Sequence, residues 1–157
     1  MKPIRCTEDL EEAVLYLASD AEVVSHRLAE VDRGPAERLE ETAGWLLGRV
    51  RRRAGELCRQ ILLCQRTEAL DAAGLAGFFL RRAQETVAAN ARELRRGYWV
   101  AMALDEASAA ARQRGLEPLQ AALRAQERLY GELEGVRLAI IEHDLDCLRG
   151  EAVARIG

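Results

Sequence analysis

From Leu10 onward, apolar residues recur at Leu10, Val14, Leu17, Ala21, Val24, Leu28 and Val31. The steps alternate four and three without interruption. That is the 3.5-residue period of a helix packed along one seam against a neighbour, and a strand, whose side chains alternate with period two, cannot produce it. Glu8 and Asp9 suit the positive end of a helix dipole, and Thr7 is the residue type of an N-cap. Gly34-Pro35 closes this segment and opens another, glycine tolerating a left-handed C-terminal cap and proline fitting a first helical turn.

The rest of the chain repeats the pattern. A second helix, Pro35 to about Gln65, places Leu39, Ala43, Leu46, Val50, Ala54, Leu57, Ile61 and Cys64 on one stripe, with a stutter at Val50–Ala54. Gly44, Gly48 and Gly55 lower its propensity and suggest that a neighbouring helix approaches closely there. Thr67 is the next N-cap candidate. From Glu68 to Arg114 one helix would be about 70 Å long, so the expectation is a short turn, a bend near Gly74 and one long helix to Arg114. Gly115 and Pro118 then repeat the glycine-then-proline boundary. A last helix, Pro118 to about Arg155, carries Leu119, Ala122, Gln126, Leu129, Leu133, Val136, Ile140, His143 and Cys147 on one stripe, widened by Leu123, Tyr130, Leu138, Ile141, Leu145 and Leu148. The fold class expected is all-α: an antiparallel up-down-up-down four-helix bundle, one domain over residues 1–157.

Composition agrees. Of the 157 residues 49% are hydrophobic and 31% charged, with a net charge of −3, which excludes a disordered chain. Ala, Leu, Glu and Arg, all good helix formers, dominate, and there are only three prolines. No apolar run approaches the ~18 residues of a membrane span, and Glu8 and Asp9 follow the start too closely for a secretory signal. The four cysteines show no CxxC spacing. A cytoplasmic protein with free thiols, no cofactor and no membrane association is the expectation.

Candidate chemistry is thin. A di-iron carboxylate site needs Glu-x-x-His on two helices, but Val23 precedes His26 by three and Ile140 precedes His143 by three. His143 and Cys147, one turn apart, have the spacing of two zinc ligands, and equally that of an ordinary buried pair with no second pair to complete a site. If the first two helices pair about Gly34, Cys6, Cys58 and Cys64 gather at one end, as soft-metal ligands or as small buried hydrophobes. Cys58 and Cys64, ~9 Å apart along a straight helix, cannot bridge each other. His26, off the seam, has the position of a phosphotransfer histidine or of a solvated one, but lacks the lysine and glycine expected after it.

The conspicuous charge feature is Arg49-Val50-Arg51-Arg52-Arg53. Pairing the second and third helices about residues 66–67 would set Arg81 and Arg82 beside it, a patch able to hold nucleic-acid phosphates. A sequence pI near 5.6 speaks against a dedicated nucleic-acid binder, and Glu8, Asp9, Glu11, Glu12, Asp20 and Glu22 on the first helix are available as counter-charges. No phosphate loop, nucleophile elbow or Ser-His-Asp set is present. Leu15, Tyr16, Trp45, Leu47, Leu62, Leu63, Phe78 and Phe79 lie off the seams, more than one bundle centre needs. The functional expectation is therefore a non-enzymatic, self-associating assembly or adaptor protein, a dimer first, with Trp45, Tyr98 and Trp99 as contact anchors. The alternatives are nucleic-acid binding through Arg49, Arg51, Arg52, Arg53, Arg81 and Arg82, and metal binding at His143 and Cys147.

Overall fold

The computed structural model describes residues 2–31, 36–63, 69–103 and 109–156. Within them the chain forms four helices, α1 (Thr7–Ala29), α2 (Ala36–Leu63), α3 (Ala69–Ala103) and α4 (Ala109–Ile156), and no strand. The α1 seam is buried at every position from Leu10 to Leu28, and the α2 stripe from Ala43 to Ile61. Each leucine so removed from water contributes about 1.5–3 kcal/mol against the conformational entropy lost on folding. Leu47 joins the core, Phe79 packs against it half-buried, and the other off-seam residues stay exposed.

Helix ends depart from the sequence expectation in three places. Cys6, with extended backbone, occupies the N-cap of α1 and makes no side-chain cap bond, so Thr7 is the first helical residue. The terminus is tied instead by Leu10 N–H donating to the Cys6 carbonyl (3.3 Å) and Arg5 N–H donating to Asp9 (3.0 Å). α3 runs unbroken through Gly74, Gly77 and Gly97, so there is no separate turn and bend. The third boundary also moves: α3 ends at Ala103, and α4 begins at Ala109 and continues through Gly115 and Pro118. Proline inside a helix forfeits a hydrogen bond and costs about 3 kcal/mol. The Pro118 ring is fully buried beside buried Leu116, an apolar gain that offsets the loss. Gly34-Pro35, Cys64 and Thr67 lie outside the described residues.

The helices pack in the order α1, α3, α4, α2, and α2 closes back on α1. Across α3 and α4, Gln84 bonds Glu134 (2.7 Å) and Tyr98 bonds Gln120 (3.1 Å), one number rising as the other falls, the order an antiparallel pair produces. Ile4–Gln60, from the segment leading into α1, and Asp20–Arg53 follow the same rule against α2. Along α1 and α3, Glu22–Arg82 and Ser25–Asn90 rise together. α1 also touches α4 through the centre, whereas among the described residues α2 and α3 share no contact. The expected pairing of α2 with α3 is therefore not realised.

The central contact carries a polar pair. Ser25 Oγ donates to Gln126 Oε1 (2.9 Å), Gln126 Nε2 donates back to the Ser25 carbonyl (2.9 Å), and Asn90 Nδ2 donates to Ser25 Oγ (2.8 Å). Ser25 and Gln126 are fully buried, so each of these bonds prevents an unsatisfied group from costing about 1–3 kcal/mol. The nearby core residues Ala21, Ala122 and Ala125 are short, which lets α1 and α4 meet across the bundle.

Candidate functional site

The α2 arginines are held by acids of two neighbouring helices. Arg53 lies 2.7 Å and Arg49 3.7 Å from the Asp20 carboxylate of α1, and the Arg53 guanidinium sits 5.9 Å over the Tyr16 ring. Arg51 points the other way, 3.6 Å from Glu132 of α4. Only Arg52 of this run has no ion pair among the described residues. Arg49, Arg52 and Arg53 border a groove of about 470 Å³ between α1 and α2, which Asp9, Glu12 and Glu56 also line. Asp9 is itself engaged: hydrogen bonds from the Lys2 ammonium (2.8 Å) and the Arg5 N–H hold its carboxyl at about 2. The groove thus has mixed charge.

Arg81 and Arg82 do not join that run, because α3 does not touch α2. Arg82 lies 3.7 Å from Glu22 of α1, and Arg81 is exposed. The six-arginine patch expected from the sequence is divided between two sides of the bundle.

A second arginine group assembles where the sequence shows no run. Arg92, Arg95, Arg96 and Trp99 follow the i, i+3, i+4, i+7 spacing of one face of α3, although Glu93, Leu94 and Gly97 interrupt them in the chain. All four are exposed, and none of the three guanidiniums has an ion pair among the described residues. Trp99 stands between two shallow depressions, of about 410 and 510 Å³. The larger is lined by Arg92, Arg95, Arg96, Trp99 and Val100. Across the smaller, α4 contributes Gln120, Leu123, Arg124 and Glu127. Tyr98 is half-buried, meets the Trp99 ring edge-on at 5.8 Å and accepts a hydrogen bond from Gln120, which fixes the base of the indole. Helical periodicity, applied to arginine as to leucine, is the signal that finds this cluster.

Apolar surface remains elsewhere. Trp45 and Trp99 are 65% and 63% exposed, on the two helices that do not meet. Leu62 and Leu63 are exposed at the end of α2. On α4, Tyr130, Leu138, Ile141 and Leu145 form an exposed stripe interrupted by Glu134. Glu134 accepts two bonds from Arg137 (2.8 and 2.5 Å) and one from Gln84, which lower its carboxyl from 4.5 to about 2. Gly44, Gly48 and Gly55 have no helix of this chain upon them. A Cβ built at Gly44 or Gly55 meets nothing within 4 Å, and one at Gly48 meets only the Arg52 side chain, so the close approach expected there does not occur within the chain.

Cys6 is exposed and Cys58 half-buried, with burial and then the Glu132 charge pushing the Cys58 thiol upward, away from the thiolate a metal needs. His143 is largely buried, its Nδ1 4.0 Å from Asp144. Cys64 and the Cys147 side chain lie outside the described residues. Among the described residues no group of three or more His, Cys, Asp or Glu is placed to hold a metal ion. His26 is exposed on α1. Among the described residues no helix is long and apolar enough to cross a membrane.

Fold and surface together define an all-α four-helix protein whose outer faces carry both greasy and strongly cationic patches. The chain matches no protein-family model, no curated protein and no solved structure.

Proposed function

We propose that the protein is a non-enzymatic, self-associating helical module, an assembly or adaptor protein whose first oligomer is a two-fold dimer. The observation that supports this most directly is the α4 stripe of Tyr130, Leu138, Ile141 and Leu145, exposed although the bundle centre is filled. Clustered apolar surface of this kind marks a contact face more often than isolated exposed leucines do. The stripe is nearly symmetric about Leu138. A two-fold axis there sets Tyr130 of one copy against Leu145 of the other, as an isologous interface requires. Glu134 stands within the stripe, where hydrogen bonds from Arg137 and Gln84 hold its charge. Trp45 and Trp99 remain on other faces as anchors for further partners, while the hydroxyl of Tyr98 is already engaged within the chain.

Light scattering on the full chain tests the reading. It should report twice the 17.5 kDa of one copy, and Leu138→Glu with Ile141→Glu should return the monomer with unchanged helicity. A strict monomer at millimolar concentration overturns the reading.

A further inference from the structure

The geometry points to a binding site for single-stranded nucleic acid on α3, built from Arg92, Arg95, Arg96 and Trp99. It does not rest on self-association.

Arg49 and Arg53 meet Asp20, Arg51 meets Glu132, Arg82 meets Glu22, Arg124 meets Glu40 and Arg137 meets Glu134, whereas Arg27, Arg52, Arg81 and Arg128 are exposed without an ion pair among the described residues. Arg92, Arg95 and Arg96, on two successive turns of one face of α3, make no ion pair among the described residues, although Glu93 precedes Arg96 by three residues. Guanidiniums gathered without counter-ions favour an anionic occupant, and they match phosphate oxygens in a bidentate fork.

The aromatic ring selects among anions. Trp99 borders two depressions, one of which Glu127 also lines, and its ring meets that of Tyr98 at a steep angle. Its indole is 63% exposed and accessible to a flat ring, and stacking beside guanidiniums is how single strands are held without sequence preference. A duplex keeps the faces of its bases covered by their neighbours, so it offers the ring nothing to stack. A carboxylate-rich peptide would satisfy the arginines and leave the indole face unused. A bilayer needs a continuous apolar ridge entering the headgroup region, whereas here only Trp99 and Val100 are large and apolar among the cations.

A fluorescein-labelled oligothymidylate and an oligouridylate, titrated with the full-length protein at about 50 mM salt, test the site. Arg92→Glu, Arg95→Glu and Arg96→Glu together should weaken binding at least about tenfold and lower the salt slope by about 2, near 0.7 per phosphate contact. Trp99→Ala should weaken it about fivefold or more. Arg51→Glu, Arg52→Glu and Arg53→Glu together should change it less than about threefold, because those residues lie outside the site. With Trp45→Phe in place, the remaining indole emission should quench as oligonucleotide is added. If the triple reversal on α3 fails to fold, the Arg→Gln triple takes its place with the same expected loss. The monomerising Leu138→Glu/Ile141→Glu protein should bind unchanged, which separates this result from the dimer test. No binding at low salt, equal loss from the α2 triple, retained affinity after the α3 triple, or capture of polyglutamate or anionic vesicles in place of oligonucleotide overturns the proposal.

Discussion

The arginines of α2 and those of α3 have the same chemistry and different surroundings. Arg49, Arg51 and Arg53 reach the acids of α1 and α4, because α2 packs between those helices and presents its flanks to both. Arg92, Arg95 and Arg96 are exposed on α3 and make no ion pair among the described residues, although Glu127 lines the hollow beside Arg95. The run that catches the eye in the sequence has two carboxylates set against its four guanidiniums, and the interrupted set has no ion pair among the described residues. Conspicuous charge in a chain is therefore a poor guide to available charge on a surface; availability depends on which helix lies alongside.

The sharpest way to break this contrast is reversal of a paired arginine. Arg53→Glu sets a carboxylate against half-buried Asp20 and removes the cation over Tyr16, and should cost about 1–3 kcal/mol in urea unfolding. If the variant is as stable as the parent, the α2 ion pairs are incidental. Glycines on the same two helices give the next effect. Gly55→Ala and Gly97→Ala should each stabilise by about 0.5–1 kcal/mol, since the added methyl meets nothing and the unfolded chain loses freedom. A loss at Gly55 alone would instead mean that a second molecule covers α2.

Acid offers a smaller test on a paired arginine of α4. The Glu134 carboxyl is lowered from 4.5 to about 2 by Arg137 and Gln84, so its contribution is present above the unfolded value and disappears as pH falls from about 5 toward 2. Glu134→Gln should therefore unfold at a temperature less sensitive to pH across that window. The difference at neutral pH should stay under about 1 kcal/mol, because water screens the pair. Least of all, Arg96→Glu should move stability by no more than about 0.5 kcal/mol, while changing what α3 attracts.

Much of the fold was legible before any coordinates. Leu10 through Leu28 and Ala43 through Ile61 are buried as their spacing requires, since burial of a helix face follows from its period alone. The Gly115/Pro118 boundary is not realised, because a proline ring can be buried inside a helix and the sequence pattern carries no signal of that burial. Leu47 and Trp45 show the limit of periodicity: two residues apart, both off the narrow seam, one is buried and the other open. Their difference comes from where α1 and α4 lie around α2.

By itself the sequence determined that there would be four amphipathic helices, which residues line their inner faces, and that greasy residues would be left over. These are properties of one helix at a time, set by local spacing and capping. Only the tertiary structure decided that α1 would meet α4 through the centre, that α2 and α3 would stay apart, and that three arginines beside Trp99 would keep their charge. A short connection fixes where the next helix begins and leaves open which neighbour it takes. That choice falls to packing between residues far apart in the chain, with the buried Ser25–Gln126 pair and the short side chains around it favouring one diagonal over the other.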